Sequence, residues 1–174
     1  MKKADTPFSE LLKELLPVAA GLGLITGLVE GAGLYLLRRA EWLNWRLSNR
    51  AFWVESIWVA PFIDLVLFLL AGFFLSLIGL VLPKSTTKRI AWFSLIFLML
   101  FDWVFIALFG RISFIALLLL AVGVSVQLVY SVMRSDVRLT NFFRRSVPWL
   151  AGVAVALFVI IQGGGWLRER QATS

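Results

Sequence analysis

The sequence predicts an all-α fold, a polytopic membrane bundle of about five transmembrane helices, on three observations. The chain is 60% hydrophobic and 16% charged with a mean hydropathy of +0.90, where soluble domains carry about 25% charged residues. Its uncharged runs reach the roughly 20 residues that a helix needs to cross a bilayer. These runs are continuously apolar and do not alternate, which favours helices over the strands of a membrane barrel.

The elements follow in order. Lys2, Lys3 and the apolar run behind them have the outline of a secretory signal. The run is too long for a signal core and no small-x-small cleavage site follows, so an uncleaved first helix is the better reading. Residues 1–16 form a cytoplasmic or interfacial segment, in which "FSELLKELLP" has helical apolar spacing and is expected to lie on the membrane surface. The five spans run over about 17–37, 57–82, 90–109, 112–133 and 147–163. "LPKSTTKR" makes a turn, with Pro83 closing the second helix. "FGRISF" is short enough to make the third and fourth helices an antiparallel hairpin. "MRSDVRLTNFFRRSVP" reads as a longer polar loop, with Pro148 in the first turn of the fifth helix. The last stretch, 164–174, leaves the membrane through three glycines as the start of an external linker.

Charge sets orientation. With the N-terminus cytoplasmic, ten Lys and Arg lie inside (Lys2, Lys3, Lys13, Lys84, Lys88, Arg89, Arg134, Arg138, Arg144, Arg145) and seven outside. The positive-inside rule then favours a cytoplasmic N-terminus and an external C-terminus. The first outer loop carries Arg38, Arg39, Arg46 and Arg50 with Trp42, Trp45, Trp53 and Trp58, a composition suited to the head-group layer. Trp149 and Trp166 bracket the fifth span about 25 Å apart, close to the thickness of the hydrocarbon core.

The expected partners are the lipid bilayer and its anionic head groups. The basic residues are spread over several short loops and form no single patch, which argues against nucleic acid. With neither Cys nor His, the chain has no disulfide, no thiol nucleophile and no His-based triad. It also lacks the usual ligands of zinc, haem and iron–sulfur centres, so no cofactor or metal is expected. It has no Walker loop, dinucleotide fingerprint or nucleophile elbow, and so no catalytic residue to name.

The chemistry that remains is three acids within spans: Glu30, Asp64 and Asp102. Each stands seven residues from the same end of the bundle, so the three share one depth, about 10 Å below one face. Arg111 lies at that face and completes an intramembrane polar layer. On the first helix, Gly23, Thr26, Gly27, Glu30 and Gly33 recur at spacings of three and four. This small-residue stripe turns Glu30 toward another helix. Gly23, Gly27 and Gly31 form a GxxxGxxxG packing motif, within the chain or, alternatively, between two chains. The acids therefore act either as a structural polar layer that fixes helix register or as part of an ion or proton path. A path needs groups in the other half of the bilayer, where the fourth helix offers Ser125 and Gln127.

"VESIWVAPFIDLVLFLLAGFFLSLIGLVLP", the hairpin around "FGRISF" and "FFRRSVPWLAGVAVALFVIIQGGGWLRERQA" carry a resemblance that covers about residues 21–172. In this order they resemble the N-terminal membrane region of bacterial sulfatase-like hydrolases of the alkaline-phosphatase superfamily. The resemblance implies a non-catalytic anchor that holds a downstream external hydrolase domain at the inner membrane. The family's C/S-x-P-x-R motif and Asp-rich calcium site have no counterpart here, so none of its catalytic residues carries over. The alternative is a self-sufficient small membrane protein, a transport or assembly subunit using Glu30, Asp64 and Asp102.

The absence of native Cys makes the topology directly testable. An impermeant thiol reagent should label Ser48→Cys and Ser174→Cys in intact cells, and leave Ser85→Cys and Ser135→Cys unlabelled. Equal labelling of positions 48 and 135 would break the five-span topology.

Overall fold

The computed structural model describes residues 7–39, 56–108 and 111–172. They form α1 (Pro7–Arg39), α2 (Ser56–Ile78), α3 (Lys84–Leu108), α4 (Phe114–Met133) and α5 (Asp136–Ala172). All five contain a stretch long and apolar enough to span a membrane, and no strand occurs among the described residues. In its most apolar stretch α1 is 61% buried, whereas α5 is only 6% buried. The bundle is therefore built around its first helix.

The contact of α1 with α2 is antiparallel and backbone-close. As α1 advances through Gly23, Gly27 and Gly31, its neighbours on α2 retreat from Asp64–Phe68 to Pro61 and then to Ile57. A Cβ on Gly23 would stand 2.8 Å from the Asp64 carbonyl oxygen, and one on Gly31 2.9 Å from Ile57 Cα. At Gly27 it would run into the Pro61 backbone. The contact continues below, where Gly72 of α2 faces Ala19, and Gly79 in the following turn faces Leu11. Lipid supplies no hydrophobic drive between helices, so small residues that let backbones approach are the means of association.

The contact of α1 with α3 is parallel and begins with charge. Lys84 Nζ bonds Glu10 Oε2 at 3.0 Å and Glu14 Oε1 at 3.1 Å, and Lys88 Nζ bonds Glu14 Oε2 at 2.6 Å. Both helices present their charges four residues apart, so the two rows match in register. Below this ladder lies the core of Leu15, Val18, Leu22, Phe68, Leu75, Trp92, Leu95 and Ile96. Phe143 brings α5 into the core, stacking on Gly21 and meeting Trp92 at 6.4 Å between ring centroids. The α4 helix pairs mainly with α3, closed at its start by Ser113, whose hydroxyl accepts from the Ala116 N–H at 3.3 Å. The Phe101 and Phe114 rings meet edge-on at 6.0 Å across the two helices.

Several local expectations change. The "FSELLKELLP" segment is not a separate surface helix. It is the first part of α1, continuous through Pro17, with Leu11 and Leu15 buried and Phe8 edge-on to Phe73 at 6.2 Å. Proline costs one helix hydrogen bond, and the contacts along both sides of Pro17 keep the helix intact. The second helix stops at Ile78 and not at Leu82, and Pro83 opens α3: its carbonyl accepts from the Thr86 N–H at 3.0 Å and the Thr87 N–H at 3.1 Å. The polar loop before the fifth span reduces to a turn at Arg134–Ser135, because "DVRLTNFFRRSV" is helical and Phe143 anchors it. Pro148 consequently lies inside α5, and α5 runs on through the three glycines to Ala172, where a linker was read from the composition. The Trp- and Arg-rich loop over 40–55 lies outside the described residues.

Gly27→Ala should destabilise the bundle by about 1–3 kcal/mol, the usual cost of overpacking. Gly33→Ala should be neutral or stabilise by up to about 1 kcal/mol through helix propensity, since nothing stands within 4 Å of its added Cβ. Unfolding midpoints of the two variants in detergent check the contrast.

Candidate functional site

Glu30, Asp64 and Asp102 project from α1, α2 and α3. One carboxylate oxygen from each lies within 4.8 Å of the other two. All three side chains are partly buried. Glu30 is carried there by the glycine contact, one turn beyond Gly27 on the face that meets α2. Asp64 sits one turn beyond Pro61, with its backbone carbonyl against Gly23. Asp102 comes from the last third of α3, which the ion ladder and core hold parallel to α1.

Asp64 Oδ2 and Asp102 Oδ2 are buried without a hydrogen-bond partner, as are the indole N–H groups of Trp58 and Trp103. The cluster opens sideways into a cavity of about 320 Å³ between α2, α3 and the start of α4, lined by Asp64, Asp102, Leu98, Phe101, Phe105 and Phe114. Two ionised carboxylates 4.8 Å apart repel by about 3 kcal/mol at an effective dielectric of 20. Three full charges brought this close are costly, and a proton or a cation between them would relieve the repulsion.

The other sequence-derived residues fall into place unevenly. Gly23, Gly27 and Gly31 all lie in the α1–α2 contact, while Gly33 faces open space. Arg111 stands exposed on the turn before α4. The side chains of Arg38 and Arg39 lie outside the described residues. Ser125 is buried, but its hydroxyl donates to the Ala121 carbonyl at 2.6 Å, and Gln127 is exposed. The other buried hydroxyls behave like Ser125. Thr26 donates to Leu22 O at 2.8 Å, Ser76 to Gly72 O at 2.8 Å, and Thr87 to Pro83 O at 3.3 Å. Each donates its proton to the carbonyl four residues back along its own chain.

The sequence reading missed the Glu10/Glu14–Lys84/Lys88 ladder. Its signal is two acids four residues apart on one amphipathic segment and two lysines four residues apart on another. Comparison with known protein families, with curated proteins and with solved structures returns no match.

Asp102→Asn should leave the unfolding midpoint unchanged or raise it, since it removes one of three crowded negative charges and keeps the side-chain volume. Leu at the same position removes the charge together with the unpartnered Oδ2 and should likewise leave the midpoint unchanged or raise it. Thermal unfolding in detergent checks both. A marked fall with Asn would mean that a bound cation, not a proton, holds the cluster together.

Proposed function

We propose that this bundle is a non-catalytic membrane anchor that holds an external hydrolase domain at the surface of a bacterial inner membrane. The observation that carries this reading is the apolar plug between the acid cluster and the basic end of the bundle. Leu15, Val18, Leu22, Phe68, Leu75, Trp92, Leu95 and Ile96 fill that half, and its buried hydroxyls are bonded to backbone carbonyls. Among the described residues there is no continuous polar route from one face to the other. A relay needs one, and a polar layer that sets helix register does not. A chain with neither Cys nor His also offers no nucleophile–base pair of the common kinds.

The identity of the cargo rests on the resemblance to sulfatase-like hydrolases. Five spans hold a soluble domain far more durably than a lipid chain does. The N-terminus is then cytoplasmic and the hydrolase external. The gene should continue past the Ser174 codon into a hydrolase domain of the alkaline-phosphatase superfamily. The 174-residue chain alone should insert and show no sulfatase or phosphatase activity. A stop codon directly after Ser174, with no hydrolase encoded beside it, would remove the cargo from this reading.

The second reading is ion- or proton-coupled transport through the carboxylates. What favours it is the cluster itself, with two unpaired buried carboxylate oxygens beside a lateral cavity. Proteoliposomes showing proton or sodium flux that Asp102→Asn abolishes would establish it over the anchor.

A further inference from the structure

The basic end of the bundle holds a second cavity, of about 330 Å³, between the N-terminal parts of α1, α3 and α5. Its walls carry Lys13, Lys88 and Arg144 against Glu10 and Glu14, with Thr140 and Asn141 on the α5 side. Both carboxylates are already engaged, Glu10 by Lys84 and Glu14 by Lys84 and Lys88. Among the lining residues three cations face two carboxylates, and Lys84 adds a fourth cation beside them. Arg138 and Arg145, both exposed, extend the positive field along α5.

We infer that this cavity is a site for the phosphate of an anionic phospholipid head group. Charge comes first: an ammonium entering the cavity meets carboxylates that already have lysine partners, whereas a phosphate meets a net positive wall. Donor chemistry comes second: the Arg144 guanidinium, the Asn141 amide and the Thr140 hydroxyl all come from one helix within about one turn, and each donates to phosphate oxygens. Depth comes third. The apolar runs of the three helices begin at Leu15, Ile90 and Val147, so the cavity lies just outside the hydrocarbon, where lipid phosphates lie. Directly below Arg144, three turns along the same face of α5, Val155 is half exposed and available to an acyl chain. The lipid would join the poorly buried α5 to α1 and α3 at the basic end of the bundle.

The test uses the purified full chain in detergent, titrated separately with phosphatidylglycerol, phosphatidylcholine and inorganic phosphate, and read by native mass spectrometry and thermal unfolding. Phosphatidylglycerol should bind about tenfold more tightly than phosphatidylcholine and raise the unfolding midpoint, while inorganic phosphate at matched concentration should not. Arg144→Ala should remove about tenfold of the phosphatidylglycerol affinity, as expected for one charge-assisted hydrogen bond. Asn141→Ala should lower it less, and Arg111→Gln, at the opposite end of the bundle, should leave it unchanged. Arg144 is exposed, so its variant is expected to fold, and Asn141→Ala provides an independent reading. Equal binding of the two lipids, equal affinity of Arg144→Ala and Arg111→Gln, or protection by inorganic phosphate equal to that by phosphatidylglycerol would each overturn the proposal.

Discussion

The glycine contact between α1 and α2 is the constraint on which the rest of the bundle depends. Inside lipid an apolar side chain gains little by leaving acyl chains for protein, so helices associate through close backbone packing. Gly23, Gly27 and Gly31 let α1 lie against Pro61 and the backbone on either side of it. That contact makes α1 the buried hub and places Glu30 beside Asp64. It also leaves the opposite side of α1 to α3 and α5. A Cβ at Gly27 would push α2 outward and move Asp64 with it, so helix packing and the acid cluster rest on one contact.

Charge enters at two levels with different consequences. At the basic end, Glu10 and Glu14 pair with Lys84 and Lys88 where water is close, and partly exposed pairs of this kind contribute little stability, about 0–1 kcal/mol each. Their value lies in register, because matched spacings allow only one alignment of α1 with α3. Deeper in the bundle the three acids meet one another. There the same proximity is a cost, which a proton or a cation would relieve. Between the two levels the interior is apolar, which separates the cluster from the basic face.

Much of the fold was legible in composition and periodicity. Five long apolar runs without strand-like alternation predict five helices, because a bilayer leaves backbone polar groups no partner outside the helix itself. Seven-residue offsets from alternating span ends place Glu30, Asp64 and Asp102 at one depth, and the small-residue stripe turns Glu30 toward a neighbour. These readings follow from rise per residue and helical repeat, which do not depend on context.

Tertiary structure decided what depends on neighbours. The segment before Pro17 has the spacing of a surface helix, but Leu11 and Leu15 find buried partners and draw it into the bundle. The stretch before Val147 is polar enough for a loop, yet one buried ring, Phe143, keeps it helical. Depth alone does not say which helices touch, so the meeting of the three acids within 4.8 Å also needed the fold. A sequence specifies the solvent and the period of each segment by itself, whereas the partner of a side chain is a property of the chain folded against itself.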